Sequence, residues 1–409
     1  MMIVVLALVS ILLLLGGYIF IKRPVFLKAP KAPEKVNSLA EYEAHIDELI
    51  AFGDPPGMSL VVLKDGEIVH SKGYGYADAP NQISAAPEHV YHFWSFTKIV
   101  TATAIMQLVE SGQIDLHAPV RDYLPEFEFS YPSTDSEVVT TYHLLTHSAG
   151  MGDAGAEMLG WVHYEGDAHY NQTEFLTSVW PKFQELAYEP GSGGYYSNID
   201  YMMLSAVIEA VSGQSYESYV VENILQPLGM EGSGFEYTPE MAEFAAVGSH
   251  PDDLMAWVAH YSLDMDRAVR EKADGRYWFN PLYSHQTGPT GLITSPLELT
   301  RFLQMLLNGG ELDDVRILSE ESVAMMNTPQ VEIVKGPASG DDAAFGLGWA
   351  IEEENGRLVL THSGSGMAYA VFVRVYPEEN LAVVLAGNST YLGHDYGYSL
   401  TRLAGSLDW

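Results

Sequence analysis

Residues 91–112 read YHFWSFTKIVTATAIMQLVESG and predict a short approach followed by a helix. After Ser95 the apolar residues recur at helical spacing, which indicates that one face of this helix is buried. Ser95 and Lys98 are three positions apart, so a helix places the hydroxyl and the amine on one face, about one turn apart. A serine becomes a nucleophile when a neighbouring base takes its proton, and a desolvated lysine can be that base.

Taken alone, this S-x-x-K pattern is weak evidence for catalysis. A chain of this length contains roughly one such pattern by chance, as with any short motif. The structural alternative is a surface serine and a surface lysine on an amphipathic helix. The rest of the chain must therefore decide between the two interpretations.

Composition sets the broad class of the protein. The chain has 409 residues, 47% of them hydrophobic, which is enough for a large core and two subdomains. The formal net charge is −34, from 20 basic and 54 acidic residues, so the folded part repels nucleic acid and we exclude nucleic acid as a partner. There is no cysteine, which excludes disulfides and thiolate metal sites.

The N-terminal segment is unusually apolar. Residues 1–21 carry no charged side chain, and a run of about 20 apolar residues predicts a single-span membrane anchor or uncleaved signal rather than a removed signal peptide. Residues 22–37 read as a Pro/Lys-rich linker, and residues 38–409 as a self-contained body. The basic residues that follow the apolar run favour a cytoplasmic body by the positive-inside tendency.

The pattern along the body predicts an α+β fold with two lobes. Strands are predicted at residues 58–63, 67–76, 345–351, 357–362, 368–376 and 381–387. Lys64-Asp65-Gly66 is a hairpin signal. Helices are predicted at both ends of the body and throughout its middle.

The simplest packing joins the N-terminal hairpin and the C-terminal meander in one antiparallel sheet, flanked by the terminal helices. This sheet lobe would comprise about residues 38–90 and 300–409. The middle, about residues 91–300, would form a mainly helical lobe, with a cleft between the lobes that both of them line.

Two further segments carry chemistry that suits this cleft. EPGSGGYYSN, residues 189–198, is a glycine-rich loop that ends in Tyr196 and Asn198. A tyrosine beside Lys98 has its phenolate favoured and can relay the serine proton to a leaving group. The amide of Asn198 can hold a substrate carbonyl or the lysine.

The second segment is His362-Ser363-Gly364, at the end of a predicted strand. Gly364 would let substrate backbone lie close to this strand. The backbone N–H of Ser365, together with that of Ser95, could form an oxyanion hole.

At this point the sequence resembles the serine β-lactamase-related family of penicillin-recognising enzymes. That family includes class C β-lactamases, D-alanyl-D-alanine carboxypeptidases, D-aminopeptidases and related esterases. The matching stretches run in family order over roughly residues 40–405, and they are WSFTK, LLTHSAGM, EPGSGGYYSN, QPLGM, GPTGLITSPLELTRFLQMLLNGG, FGLGW and HSGSGMAYAVFVRVYPEENLAVVLAGN.

The resemblance implies a role for each candidate residue, without a cofactor or a metal. Ser95 would be the acylated nucleophile, and Lys98 and Tyr196 its bases. The substrate-side groups would be Asn198, His362, Ser363 and Gly364. The chain departs from the family at residues 362–364, which read HSG where β-lactamases of the group usually carry KTG. A neutral histidine attracts a β-lactam carboxylate less than a lysine does, which favours a peptidase or an esterase.

Our leading hypothesis is a serine hydrolase that works through an acyl-enzyme on a small-molecule or peptide substrate. The scissile bond would be that of a D-amino-acid peptide or amide, or of a short-chain ester. The alternatives are a β-lactamase with weak activity and a catalytically silent, membrane-anchored penicillin-binding or sensor module on the same fold. Family members with an N-terminal apolar segment usually work outside the cytoplasm, so we expect a periplasmic or extracellular body despite the basic cluster.

Histidines outside these motifs suggest a metal site as a weaker alternative. His143 and His147 are four apart, as metal ligands on one helix face would be, but no glutamate lies between them and the resemblance already explains their segment. His163, Glu165 and His169 lie in the insertion at residues 152–187, where a solvated loop is the simpler interpretation.

Overall fold

The computed structural model describes residues 29–168, 170–254, 256, 262–336, 343–393 and 396–409. A ten-stranded sheet dominates the fold. Its strands, in chain order, are β1 (Gly57–Lys64), β2 (Glu67–Asp78), β3 (Ile83–Ser84), β4 (Gly194–Tyr195), β5 (Val331–Lys335), β6 (Ala344–Phe345), β7 (Ala350–Glu354), β8 (Arg357–Ser365), β9 (Ala370–Tyr376) and β10 (Leu381–Gly387). Across the sheet their order is β3-β2-β1-β10-β9-β8-β7-β6-β5-β4.

The N-terminal hairpin and the C-terminal meander share this sheet, as predicted. β1 pairs antiparallel with β10, with Met58 opposite Gly387. The hairpin between β1 and β2 turns at Asp65 and Gly66, which both have positive φ (52° and 82°), as the tight turn between twisted strands requires.

The sheet is mixed rather than wholly antiparallel, which corrects the predicted pairing. β4 runs parallel to β5, with Gly194 opposite Ile333. The cause lies in the connections, because β4 comes from the loop before a helix of the middle segment rather than from a hairpin of the meander. This edge of the sheet therefore joins the middle of the chain to its C-terminal part.

The helices lie before, between and after these strands. They are α1 (Leu39–Phe52), α2 (Thr97–Glu110), α3 (Thr141–Leu145), α4 (Gln172–Val179), α5 (Asn198–Ser212), α6 (Tyr216–Val220), α7 (Pro239–Glu243), α8 (Met265–Ala268), α9 (Thr287–Thr290), α10 (Pro296–Leu307), α11 (Glu320–Met326) and α12 (Tyr396–Gly405). Ser38 caps α1 by accepting from the N–H of Glu41, and Ser295 caps α10 with Pro296 in its first turn.

Two apolar cores cover the two faces of the sheet. On one face α1 and α12 pack against the strands, with Tyr42 and Ile46 from α1 and Leu400 from α12 buried in that core. On the other face α2, α5 and α10 contribute to the larger core. Because both faces are covered, the central strands β9 and β10 are buried along their whole length.

The middle of the chain also contains small sheets that its sequence did not predict. Residues 231–279, in which no strand is predicted from the sequence, hold a three-stranded sheet of Ser249–Pro251, Val269–Ala273 and Arg276–Phe279. In the insertion, Val162–His163 pairs with Tyr283–Ser284, which attaches the insertion to the body.

The structure corrects the prediction of a membrane-spanning helix and of a membrane-anchored location. Within the described ranges no helix is long and apolar enough to cross a membrane. The longest described helix, α5, has 15 residues, fewer than the about 20 that a span requires. Residues 1–21, on which the prediction rested, lie outside the described residues.

Candidate active site

Ser95 lies in a tight turn immediately before α2. The turn, Trp94–Phe96, is a 3₁₀ helix, and Trp94 adopts a left-handed backbone conformation with φ of 44°. Such a conformation is uncommon for a bulky residue and often marks a functional site. The Thr97 hydroxyl fixes the turn, because it donates to the Trp94 carbonyl (2.6 Å) and accepts from the Leu292 N–H (2.9 Å). Ser95 is partly exposed although its neighbours in the turn are buried, so a ligand can reach it.

Lys98 is fully buried one turn further along. Its ammonium nitrogen donates to Asn198 Oδ1 (2.7 Å) and to the Pro289 carbonyl (3.2 Å), and lies 4.8 Å from the centre of the Tyr196 ring. Burial lowers the pKa of Lys98 to about 7, against the opposing effect of Asp153 and Asp200. A substantial fraction of this lysine is therefore the neutral amine near pH 7, the form that can accept a proton.

Tyr196 stands between Lys98 and Ser95. It follows β4 directly and precedes Ser197, the N-cap of α5, so a strand and a helix start fix it from both sides. A hydrogen bond joins its phenol to the side chain of Ser95. Burial raises the pKa of Tyr196, whereas the sequence reasoning expected the neighbouring lysine to favour the phenolate. The resting form is thus the neutral phenol, which can pass a proton between Ser95 and Lys98.

Asn198 is buried and its amide is fully engaged within the site. Its Oδ1 accepts from Lys98, while its Nδ2 donates to Asp153 Oδ1 (3.2 Å) and its backbone N–H donates to the same oxygen (3.1 Å). Nδ2 also contacts the sulfur of Met158 (3.1 Å). Of the two roles expected from the sequence, this geometry corresponds to holding the lysine rather than a substrate carbonyl.

Strand β8 passes directly against the nucleophile turn at Gly364. A Cβ at this position would lie 2.1 Å from the Phe93 carbonyl oxygen and 3.0 Å from the Ser95 nitrogen, so only glycine lets the strand approach so closely. Ser365 is the exposed last residue of the strand. Ser363 does not join the cluster, because alternation turns it to the opposite face, where its hydroxyl is 2.7 Å from that of Tyr398.

His362 lies on the same face of β8 as Gly364, with its ring 6.4 Å from that of Tyr196. Its Nδ1 is 2.8 Å from the Ser363 carbonyl oxygen. Because a carbonyl oxygen only accepts, Nδ1 carries the hydrogen. Burial and the charge of Lys98 lower the pKa of His362 to about 3, so the ring is neutral and Nε2 presents a lone pair. This side chain therefore offers a hydrogen-bond acceptor rather than a positive charge.

A buried pair, His147 and Asp200, supports Tyr196 from behind, and the sequence reasoning did not recognise it. Both side chains are 1% exposed, with Nδ1 of the histidine 3.0 Å from Oδ2 of the carboxyl group. The histidine ring packs 4.6 Å from the Tyr196 ring. The Ser197 N–H donates to Nδ1 of His147 (3.2 Å), and the Tyr195 N–H donates to the backbone carbonyl of His147 (2.7 Å). The local signal for this pair is weak, because His147 and Asp200 each lie near other polar residues, in LLTHSAGM and YSNID.

The histidines considered for a metal do not converge. His143 faces Glu137, with its Nε2 3.8 Å from the carboxylate, while His147 is turned into the core. His163 stacks on His285, and His169 lies outside the described residues. Over the part of the chain that the structure describes, no group of three or more histidine, aspartate or glutamate side chains could hold a metal ion.

Comparison with known proteins agrees with this fold. The sequence profile of the family described as Beta-lactamase matches residues 43–405. Protein flp of Staphylococcus aureus (strain MW2) is 26% identical over 355 residues, which cover 86% of this chain and 63% of that protein. The chain thus spans less than two thirds of the length of such curated relatives.

Two solved structures show the likeness in three dimensions. The octameric penicillin-binding protein homologue from Pyrococcus abyssi has a TM-score of 0.70 at 29% identity, over 90% of this chain and 77% of that chain. The D-amino acid amidase from Ochrobactrum anthropi SV3, complexed with D-phenylalanine, also has a TM-score of 0.70. It is 21% identical over 90% of this chain and 98% of that chain, which shows the fold alone. Because the family profile matches most of its length, the chain belongs to the Beta-lactamase family.

Proposed function

We propose that this protein is a serine hydrolase that cleaves amide or ester bonds through an acyl-enzyme on Ser95. The observation that carries the proposal is a reachable serine that is hydrogen-bonded to a buried phenol, with a buried lysine amine packed against the ring of that phenol. The side chain of Ser95 is hydrogen-bonded to the neutral phenol of Tyr196. The amine of Lys98, whose pKa is lowered to about 7, lies against the ring of the same tyrosine. A nucleophile, a proton relay and a base are thus in contact before substrate binds.

In the first half of the reaction, Ser95 Oγ bonds to the substrate carbonyl carbon and loses its proton. The proton passes to Tyr196 while the phenol gives its own proton to neutral Lys98, so the relay leaves tyrosine unchanged and lysine protonated. Negative charge develops on the carbonyl oxygen. The backbone N–H groups of Ser95 and Ser365 are the donors that we assign to it.

In the second half, the tetrahedral species collapses and the bond to the leaving amine or alcohol breaks. The leaving group takes the proton back from Lys98 through Tyr196, and the acyl group stays on Ser95 as an ester. Water then adds to this ester with the same relay as base, the carboxylic acid departs, and Ser95 regains its proton. Asn198 holds Lys98 in place throughout.

The charges around Ser95 favour D-amino-acid amides or peptides, or short esters, over β-lactams. His362 occupies the position at which the β-lactamases of the family usually carry lysine, and its ring is neutral because burial lowers its pKa to about 3. A β-lactam carboxylate therefore finds an acceptor there instead of a cation. The likeness to an amidase and to a penicillin-binding protein homologue supports amide bonds as the wider substrate class.

A substrate panel on the purified protein tests this proposal. We expect measurable hydrolysis of p-nitrophenyl acetate or of D-amino-acid amides, and a kcat/KM for a chromogenic cephalosporin at least about tenfold lower, or roughly 1.4 kcal/mol in transition-state free energy. His362→Lys should narrow this difference. Faster cleavage of the cephalosporin than of any ester or amide would instead favour a β-lactamase. Failure of a fluorophosphonate to label Ser95, without turnover of any substrate, would favour a silent binding module.

A further inference from the structure

We propose that Asp153 forms a subsite for a positively charged amine on the acyl part of the substrate. The inference rests on the proposed acyl-enzyme function and names the chemical class that this site selects. Such substrates are amides, esters or peptides of amino acids with a free amino group. A substrate with that amine acylated would lack the charge that the subsite recognises.

Asp153 is held at the site by the residue that holds the catalytic lysine. Its Oδ1 accepts both from the backbone N–H and from the side-chain Nδ2 of Asn198, whose Oδ1 in turn accepts from Lys98. Both hydrogen bonds use one carboxylate oxygen, and the residue is exposed to solvent. The second oxygen is therefore the one that an incoming donor can reach. The carboxyl group of Asp153 thus lies two hydrogen bonds from the buried base, through Asn198.

Capping of α5 does not account for the charge of Asp153. The N-cap of that helix is Ser197, whose hydroxyl accepts from the Ile199 N–H (3.1 Å). The N–H groups of Asn198 require an acceptor, but a neutral amide oxygen at position 153 would satisfy them equally well.

Activation of the base does not account for the charge either. The carboxylate of Asp153 raises the pKa of Lys98 and so opposes the burial that lowers it. A negative charge here works against the neutral amine that the reaction needs. The negative charge of Asp153 is instead suited to binding a positively charged ligand.

The remaining polar groups around Ser95 agree with a cationic ligand. His362 presents the lone pair of Nε2, because its Nδ1 hydrogen is committed to the Ser363 carbonyl. The nitrogen of Lys98 is buried and is already engaged with Asn198 and with the Pro289 carbonyl. An ammonium group can donate charge-assisted hydrogen bonds to the Asp153 carboxylate and to Nε2 of His362, whereas these acceptors repel a carboxylate.

Asp153 also acts on the groups that lie beside Ser95, because its charge raises the pKa of both Tyr196 and Lys98. Ser95 contacts Tyr196, Lys98 lies against the Tyr196 ring, and Asn198 connects Lys98 to Asp153. The carboxylate is therefore within a few contacts of the nucleophile. In an amino-acid amide the α-amino group is one carbon away from the carbonyl that Ser95 attacks.

The test compares two substrates that differ only in this amine. Kinetics are measured with alanine p-nitroanilide and N-acetyl-alanine p-nitroanilide, in both the D and the L forms. We expect kcat/KM of the native protein to favour the free amine by about tenfold or more in at least one stereochemical series. Asp153→Asn keeps an oxygen that can accept from Asn198 but removes the charge. The ratio of kcat/KM for the free-amine anilide to that for the acetylated anilide should therefore fall about tenfold, while p-nitrophenyl acetate is still cleaved.

A matched control separates this local effect from a change in overall charge. Glu157 lies four residues further along the chain and pairs with Lys182 at the surface (2.7 Å). Glu157→Gln removes the same charge and should leave the ratio between the two anilides unchanged. In the native protein the preference should also decline as pH rises above about 8, where an α-amine loses its proton.

The outcomes distinguish the subsite from the function on which it rests. If Asp153→Asn lowers kcat/KM equally for both anilides, Asp153 only positions Asn198, and the subsite is overturned while the acyl-enzyme stands. The same conclusion follows if the native protein shows no preference for the free amine. If no acyl substrate is cleaved and Ser95 cannot be labelled, the proposed function fails, and the subsite with it.

Discussion

The inner and outer halves of the site differ in their contact with water. Lys98, His147 and Asp200 form the inner half, and each is at most 1% exposed. In the outer half Ser95 is partly exposed, while Asp153 and Ser365 are exposed. Desolvation shifts the pKa values of the inner groups, whereas the outer groups keep a solvated charge or a reachable donor. This difference is the basis of our two proposals, that burial tunes Lys98 as the base and that Asp153 at the rim selects the ligand.

The largest effect is expected where the two halves meet, at Ser95. Ser95→Ala removes the nucleophile, and the loss of kcat should be roughly 10⁴-fold or more, as for other enzymes that lose a nucleophilic serine. Turnover of p-nitrophenyl acetate and covalent labelling by a fluorophosphonate measure this loss, and thermal unfolding checks that the fold is retained. Labelling that persists in the variant would place the nucleophile on another serine.

The inner half should determine the pH dependence of the reaction. The base must be the neutral form of Lys98, whose pKa is lowered to about 7, so activity is retained above this pH and lost as pH falls below it. We expect kcat/KM for a neutral ester to rise with one ionisation near pH 7. Lys98→Met fills a similar volume without an amine and should lower kcat roughly 10³-fold or more. A flat profile between pH 5 and pH 9 would show that another group is the base.

An intermediate effect is expected from His147, which supports the inner half without facing the substrate. His147→Phe preserves an aromatic ring against Tyr196 but leaves the Asp200 carboxyl group and the Ser197 N–H without this partner. We expect about 10- to 100-fold lower kcat with little change in KM. The free energy of unfolding, from urea titration, should fall by about 1–3 kcal/mol.

A matched control for this change is His143→Phe, on the neighbouring helix α3. His143 is buried, but its Nε2 faces Glu137 and its Nδ1 accepts from the Thr140 N–H at the start of α3, so kcat should stay close to that of the native protein. Equal losses of kcat in the two variants would contradict a positioning role for His147.

The smallest effect is expected at Ser363, although it lies between two residues of the site. Its hydroxyl is bonded to Tyr398 on the far face of β8, so Ser363→Ala should cost about 1 kcal/mol of stability and change kcat/KM by less than about threefold. Gly364→Ala, one position further, should lower kcat/KM far more than Ser363→Ala does, because the new methyl group meets the Phe93 carbonyl at 2.1 Å. Similar kinetics for the two variants would mean that the strand does not hold its position against the nucleophile turn.

The sequence predicted those parts of the molecule that depend on local signals. Period-two patterns and the Asp65-Gly66 turn located the hairpin and most strands of the meander. The regions that it missed have short strands with distant partners. Val162–His163, for example, pairs with a strand about 120 residues away, and such pairing leaves little trace in a local pattern.

The sequence by itself determined which chemical groups this protein possesses and in what order they occur. Ser95 and Lys98 were identified from their spacing on a helix, and Tyr196 and His362 from glycine-containing segments that follow it. Spacing and side-chain chemistry are properties of a short stretch, so they can be recognised without a fold.

Only the tertiary structure decided what each group does beside the others. Lys98 meets Asn198 across 100 positions of sequence, and the shift of its pKa comes from burial under segments far from it in the chain. The same holds for the tautomer of His362, for the far-side position of Ser363 and for Asp153, whose importance is visible only through its contact with Asn198. Desolvation and hydrogen bonding depend on which atoms meet in space, and that information belongs to the folded chain as a whole.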